Sequence, residues 1–288
     1  MNTSTAAANS LATPPLTQET FNKFRHLILE KTKINMRDGK QILVANRLRK
    51  RLLKLDIASY EDYYDLLIGK TGESEISHFI DAISTNETYF FREENHFEAL
   101  SSKVLPEMFR SHGRLRIWSA GCSTGEEVYT LRIIADRAAR LAGAPAPEII
   151  GTDISTEVIQ RAREGIYRER SLRHVPPEHL KSFFLPTADG AFQISAEIRK
   201  TVDFRVHNLF TDPPPWDSVH IIFCRNVMIY FDKQTQMKLV DGIFANAIHP
   251  DGYLFIGHSE SLNGMSRTFR YMPTLKSPVY RRREEAAE

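Results

Sequence analysis

The chain has 288 residues, enough for one large domain or two smaller ones with a substantial core. Its apolar share of 42% and charged share of 26% are those of an ordinary globular protein, which excludes disordered and fibrous classes. Lys and Arg exceed Asp and Glu by only two, so net charge singles out no partner, and its distribution matters more.

No run approaches the roughly 18 apolar residues that span a bilayer, and the start lacks the regions of a secretory signal. The two cysteines, Cys122 and Cys224, form neither a disulfide framework nor a metal-ligand spacing, so a cytoplasmic location is expected. Residues 1–17 are mostly Ala, Ser, Thr, Asn and Pro with little to bury, and read as a disordered leader.

Residues 18–92 read as helical. Between Phe21 and Asp56 eleven Lys or Arg face three acidic residues. In a helix starting near Gly39, Val44, Leu48, Leu52 and Leu55 form an apolar stripe, and Arg47, Lys50, Arg51 and Lys54 share a neighbouring face. That face is either solvated or docks something acidic. Without interleaved aromatics an acidic protein helix suits it better than nucleic acid. The segment Ser84–Arg92 precedes another amphipathic helix through Phe97, Leu100 and Val104. It reads either as a helix cap with core aromatics or as a strap over the next domain, bringing Asn86, Thr88 and Arg92.

The helical pattern runs on to about Arg110, and from Leu115 the chain alternates strand and helix, which implies a parallel sheet covered on both faces. Leu115–Trp118 runs into the small-residue turn Ser119–Gly125 and then a helix, the arrangement in which backbone N–H groups meet a nucleotide-like ligand. Glu148–Thr152 ends in Asp153, the position of a ribose-binding acid or of a cap beside the N-cap Ser155. Val202–His207 leads to Asn208, and His220–Cys224 leads to Arg225 and Asn226. Asp232 caps a helix through Val240 and Phe244, Tyr253–Gly257 is a fifth strand, and Phe269–Arg281 closes as a hairpin. In this topology both cysteines, with the residues after them, are expected to face one crevice. Residues 166–201 form an insertion in which Phe183–Ser195 is a hairpin and Thr201–Val206 a candidate third strand. Such a sheet has an open edge for an extended peptide.

Five motifs occur in order: Thr85–Arg92 (TNETYFFR), Ala120–Glu127 (AGCSTGEE), Gly151–Ser155 (GTDIS), Phe223–Phe231 (FCRNVMIYF) and Gly257–Ser261 (GHSES). Together they resemble the bacterial chemoreceptor glutamate methyltransferases, the CheR family, from about Phe21 to Arg283. The resemblance implies an α/β protein: an all-helical N-terminal domain (18–92) joined to a Rossmann-like S-adenosylmethionine-dependent methyltransferase domain (93–288), with the small antiparallel β insertion. Its implied activity is methyl transfer from S-adenosylmethionine to glutamate carboxylates of chemotaxis receptors, yielding methyl esters and S-adenosylhomocysteine, without a metal.

By the same resemblance, Ala120 and Gly121 approach the donor by backbone, with Glu126, ahead of Glu127, near its amino-acid end. Asp153 takes the ribose, Asn208 and Leu209 border the adenine, Arg225 and Asn226 line the fourth strand's end, and Asn86, Thr88 and Arg92 cover the methionine part. Arg92, Tyr230 and Arg225 form the catalytic set, although Tyr230 also reads as a packed aromatic. Implied partners are the helical region and C-terminal pentapeptide of transmembrane receptors, with Arg47–Lys54 as the docking face, no nucleic acid and no membrane insertion. An RNA or small-substrate methyltransferase, or a non-enzymatic donor-sensing module, is the alternative. Phe223-Cys-Arg-Asn argues against the first, because amino-methylating relatives carry Asn/Asp-Pro-Pro-Tyr/Phe there.

Overall fold

The structure is a computed structural model that describes residues 14–283. Most of the leader predicted for residues 1–17 lies outside these residues. Leu16 does not behave as leader: it is buried, and its carbonyl accepts a hydrogen bond from Gln41 Nε2.

Chain contacts divide the protein into two units, residues up to Lys31 with Asn35–Ser84, and Thr32–Ile34 with residues from Thr85 onward. The sequence reading drew the boundary after Arg92. Residues 85–92 group with the second unit because Phe90 is buried there against Tyr167 and Phe184, at 4.8 and 5.1 Å between ring centroids.

The first unit contains α1 (Gln18–Thr32), α2 (Gln41–Leu55), α3 (Tyr60–Ile68) and α4 (Glu73–Ile83). Its core joins Phe21, Phe24, Val44, Leu48, Leu52, Tyr63 and Phe79, with Phe24 and Phe79 rings 5.7 Å apart. The apolar stripe on α2 thus faces inward, as its period demands. The basic stripe is split. Arg51 pairs through two nitrogens with the buried Glu75, which also accepts from the Tyr63 hydroxyl at 2.8 Å. Burial works to raise the Glu75 carboxyl, but Arg51 and Tyr63 outweigh it and hold it below its ordinary range. Arg47 donates to the Ile83 carbonyl at the end of α4. Two of the four basic residues therefore brace the unit, while Lys50 and Lys54 are exposed.

In the second unit α5 (Glu94–Ala99) runs through a wide turn into α6 (Leu105–Ser111). Then follow β1 (Arg116–Ala120), α7 (Glu126–Ala142), β2 (Glu148–Asp153), α8 (Thr156–Glu164), β3 (Ile166–Tyr167), α9 (Glu169–Leu172) and α10 (Pro177–Phe183). Next come β4 (Phe184–Pro186), β5 (Phe192–Ile194), α11 (Ala196–Arg199), β6 (Asp203–Val206), β7 (Val219–Cys224), α12 (Lys233–Met237) and α13 (Ala245–Ala247). The chain ends with β8 (Ile248–Ile256), β9 (Phe269–Tyr271) and β10 (Val279–Arg282). The main sheet has the order β6-β2-β1-β7-β8-β10-β9, parallel from β6 to β8, with β10 antiparallel to β8.

Side chains alternate across this sheet. Ile117, Ile149, Ile221 and Phe223 enter one core with α5 and α7. Trp118, Ile150, Ile222 and Cys224 enter the other with Val240 and Phe244. The small sheet has the order β3-β5-β4, so its third strand is Ile166–Tyr167. The predicted third strand, Thr201–Val206, instead supplies β6, which pairs in parallel with β2 from Asp203 onward. An alternating short strand carries no signal of which sheet edge it will join.

Gly151 in β2 has no room for a side chain. An added Cβ would lie 2.5 Å from Val128 Cγ2 and 3.0 Å from both Cys122 Sγ and Phe204 Cδ1. Gly151→Ala should therefore destabilise the second unit by about 1–3 kcal/mol through overpacking, read as a lower urea midpoint. An unchanged midpoint would show that α7 shifts freely over the sheet.

Candidate active site

Strand order reverses between β1 and β7, the place where an open α/β sheet leaves a crevice at its strand C-terminal ends. Backbone in the left-handed region gathers in the segments around this point: Phe91 (φ +58°), Glu93 (+57°), Gly121 (+90°), Ser123 (+50°), Gly125 (+91°) and Asn226 (+59°). Each non-glycine example costs about 1–3 kcal/mol and persists only where surroundings enforce it.

The turn after β1 is braced from within. Gly121 and Cys122 N–H both donate to the Thr152 carbonyl, at 2.8 and 2.9 Å, Ser123 N–H donates to Asp153 Oδ2 at 2.9 Å, and Gly125 N–H to the Cys122 carbonyl at 3.1 Å. The expectation of a turn offering these N–H groups to a ligand is thereby corrected: those of Gly121, Cys122 and Ser123 hold the turn to β2, and that of Gly125 closes the turn on itself. Gly121 is glycine also because a Cβ would lie 2.3 Å from Val227 Cγ2, in the loop after β7. Asp153 also accepts from Ser155 N–H at 3.0 Å. Ala120 is buried at the strand end.

At the end of β7, Arg225 crosses the crevice with its side chain only 2% exposed. It pairs with Glu127 on α7 at 2.9 Å and with Glu93 before α5 at 3.1 Å, donates to the Arg92 carbonyl, and lies over the Phe97 ring. Glu127 also accepts from Ser119 Oγ at 2.7 Å, and Glu93 from Asn226 Nδ2 at 3.4 Å. Despite its burial, the Glu93 carboxyl is drawn below its ordinary value by Arg225. Beside it the buried His96 donates from Nε2 to the Ile256 carbonyl at 2.7 Å, and burial together with Arg225 pushes its imidazole down to about 4. With His96 neutral, two carboxylates against one guanidinium leave the group net negative. Arg225 Nε is a buried N–H with no hydrogen-bond partner among the described residues.

The loop after β7 hangs on one carboxylate. Glu260 accepts from Gly257 N–H (2.6 Å), Asn226 N–H (3.0 Å) and Ile229 N–H (3.2 Å). Burial raises its carboxyl, against the pull of these donors. This bracket sets the start of the turn Met228–Tyr230, on which Tyr230 is half-buried.

Residues 85–92 lie along the same crevice. Asn86 accepts at its carbonyl from Ser123 Oγ (3.2 Å), and Phe91 N–H donates to Thr130 Oγ1 (3.3 Å). Thr88 is half-buried, and Arg92 donates to the Glu87 carbonyl (2.7 Å) while lying near the Tyr89 ring. Among the described residues Arg92 has no carboxylate partner, unlike Arg225. The core-aromatic reading holds for Phe90, but no side chain of this segment caps α5, whose N-cap is Glu93 without a side-chain cap bond. Beyond β6, Asn208 Oδ1 accepts from Phe210 N–H (3.1 Å), while Leu209 is buried under the Trp118 face of the sheet.

Glu126 and Glu127 diverge. Glu126 is buried and accepts from Thr124 Oγ1 (2.6 Å) and Ser171 Oγ (3.0 Å), so it ties the insertion to α7, and burial raises its carboxyl. Glu127 is the one that meets Arg225. The two cysteines do not face the crevice together: Cys122 and Cys224 are buried in opposite cores, and burial raises both thiols. The residues after them, Ser123, Arg225 and Asn226, do line it.

Sequence reasoning left out Glu93, His96 and Glu260 and ranked Glu127 second. Glu260 had a signal, because the Gly257–Ser261 motif contains it. Glu93 had only its place beside Arg92.

These residues fit S-adenosylmethionine: a net-negative group suits a ligand with an ammonium and a sulfonium, and a carboxylate ends β2 where a ribose diol needs an acceptor. Comparisons with known proteins agree. Residues 86–277 match the family described as "CheR methyltransferase, SAM binding domain", and residues 19–84 match "CheR methyltransferase, all-alpha domain". A "Chemotaxis protein methyltransferase" of Escherichia coli (strain K12) is 38% identical over 258 residues, 86% of each chain. One of Borreliella burgdorferi is 35% identical over 266 residues, 90% of this chain and 93% of the relative. A "Chemotaxis protein methyltransferase 2" of Pseudomonas aeruginosa is 38% identical over 269 residues, 91% and 94%.

Glu260→Gln should turn an amide NH2 toward N–H groups that now share a carboxylate. One lost acceptor in this buried place costs about 1–3 kcal/mol, seen as a lower unfolding midpoint with weaker donor binding. Parent-like values of both would mean the β7 loop holds without its bracket.

Proposed function

The chain belongs to the CheR methyltransferase family, and from that premise we propose that it methylates glutamate side-chain carboxylates of chemotaxis receptors. The relatives' shared description as chemotaxis protein methyltransferases supports the biological setting. The choice of a carboxylate as acceptor is supported by one observation: beside the acid-paired Arg225, Arg92 donates to a carbonyl and has no carboxylate partner among the described residues.

When bound, S-adenosylmethionine supplies a methyl group activated by its positive sulfur. Glu127 and Glu93, only half offset by Arg225, favour that positive charge, and Asp153 accepts from the ribose. Asn86 and Thr88 cover the methionine part, and Asn208, Leu209 and Asn226 border the rest of the ligand. A receptor glutamate, with pKa about 4.3, is ionised at neutral pH and needs no general base. Charge is lost as oxygen meets methyl, so a tight clamp on the carboxylate would favour the ground state. Arg225, committed to two acidic partners, avoids such a clamp. Arg92, bonded to a carbonyl only, orients the incoming carboxylate, and the Tyr230 hydroxyl is its second positioner.

Recruitment has two supports. The exposed Lys50 and Lys54 on α2 suit an acidic receptor helix. The small sheet has two edge strands, β3 and β4, with exposed Ile166 and Leu185, on which a receptor's C-terminal pentapeptide adds as a strand. The proposed setting is a cytoplasmic enzyme recruited to membrane receptor clusters. No helix among the described residues is long and apolar enough to cross a membrane.

Methyl-labelled donor incubated with receptor membranes should yield label released by alkali, as carboxyl methyl esters are. Arg92→Ala should lower kcat by about tenfold or more, roughly 1.4 kcal/mol of transition-state stabilisation, with receptor saturating. Alkali-stable label would reject the glutamate reading, and an unchanged kcat would remove Arg92 from it.

A further inference from the structure

At the opposite, N-terminal end of the parallel strands, three imidazoles meet. His112 follows α6, His220 lies in β7, and His249 is the second residue of β8 with Asp251 two residues on. Ring centroids are 4.7 Å apart for His112 and His249, 5.0 Å for His112 and His220, and 5.2 Å for His220 and His249. His112 Nε2 is buried with no hydrogen-bond partner among the described residues, 3.8 Å from Asp251 Oδ2. His249 Nδ1 lies 3.9 Å from the same oxygen. One carboxylate oxygen is therefore flanked by two imidazole nitrogens, each too far to bond it.

We propose that His112, His249 and Asp251 form a transition-metal site of the zinc class. Zinc bonds of about 2.1 Å in tetrahedral array set ligand atoms about 3.4 Å apart, so each imidazole nitrogen closes on Asp251 Oδ2 by about half an ångström, and the three ligand atoms already lie within 4.8 Å of one another. The surrounding bonds favour this. His249 Nδ1 accepts a long bond, 3.2 Å, from Asp251 N–H, which marks it as the unprotonated nitrogen; the ion replaces that contact. Arg281 lies 3.6 Å from Asp251 Oδ1 and bonds Glu107 at 3.1 Å, steadying the carboxylate and leaving Oδ2 to face the ion. His220 buttresses without ligating: its Nδ1 accepts from Arg116 N–H at 3.0 Å, and its ring stacks on His249. Asp251 is 44% and His249 28% exposed at the side chain, which leaves the fourth position open to water. The ligands come from separate segments, at 112 and at 249–251, which is why no sequence spacing announces them. A bound ion would cross-link the end of α6 to the irregular start of β8, far along the sheet from Arg225.

The test is equilibrium dialysis of tag-free full-length protein against zinc, with parent, His112→Gln, His249→Gln and Asp251→Asn compared. The expected result is one zinc per chain, weakened about tenfold or more by each substitution, and a zinc-dependent rise in the parent's melting midpoint that the variants lack. His258→Gln serves as control, because Glu93, His96 and His258 are the other such group among the described residues. No retained zinc, equal retention by parent and the three variants, or loss in His258→Gln alone would overturn the proposal. Metal-free melting of each variant reports its folding, and the exposed Asp251→Asn keeps the comparison valid if an imidazole variant fails to fold.

Discussion

A single buried guanidinium ties the second unit's functional end together. Arg225 leaves β7, reaches Glu127 on α7 and Glu93 ahead of α5, and takes the Arg92 carbonyl besides. Three segments far apart in sequence are thereby fixed against one another. A buried charge without partners would cost several kcal/mol, so these contacts are mutually required. The left-handed backbone at Glu93 and Asn226 is understandable on the same terms: each residue lies in that region while serving the network.

The constraint also decides what the crevice attracts. Because one guanidinium cannot offset two carboxylates, and burial keeps His96 neutral, the site favours cations. Arg92, turned back onto its own loop, has a carbonyl as acceptor and no carboxylate partner among the described residues. On the proposed reading a positive ligand and a negative one have separate addresses, which is what a reaction between a sulfonium and a carboxylate needs. Glu260 makes this possible at one remove, because its acceptance of three N–H groups fixes the loop that follows Arg225.

Much of this fold could be read from residue order. Strand–helix alternation after residue 115 predicted the parallel sheet, and Ser155 and Asp232 cap helices as expected, accepting from Val158 and Thr235 N–H. What the order could not supply was edge choice, so Val202–Val206 was left between two sheets until β2 claimed it. At the site, the places of Asp153 at the end of β2 and of Arg225 just after β7 were legible because strand ends mark themselves. Glu93 was not, since its role depends on a partner 132 residues away. The turn's N–H groups misled for a related reason: the Thr152 carbonyl that takes two of them belongs to another strand. The basic face of α2 divided likewise, because Glu75 and the Ile83 carbonyl, both on α4, took Arg51 and Arg47.

The claim underlying this account is that the excess negative charge around Arg225 recognises the donor's positive groups. Calorimetric titration of S-adenosylmethionine into the parent and into Glu127→Gln tests it most directly. The account predicts measurable binding by the parent and an affinity lower by about tenfold in the variant, roughly 1.4 kcal/mol, with the fold intact by circular dichroism. Equal affinity in the two proteins would contradict it.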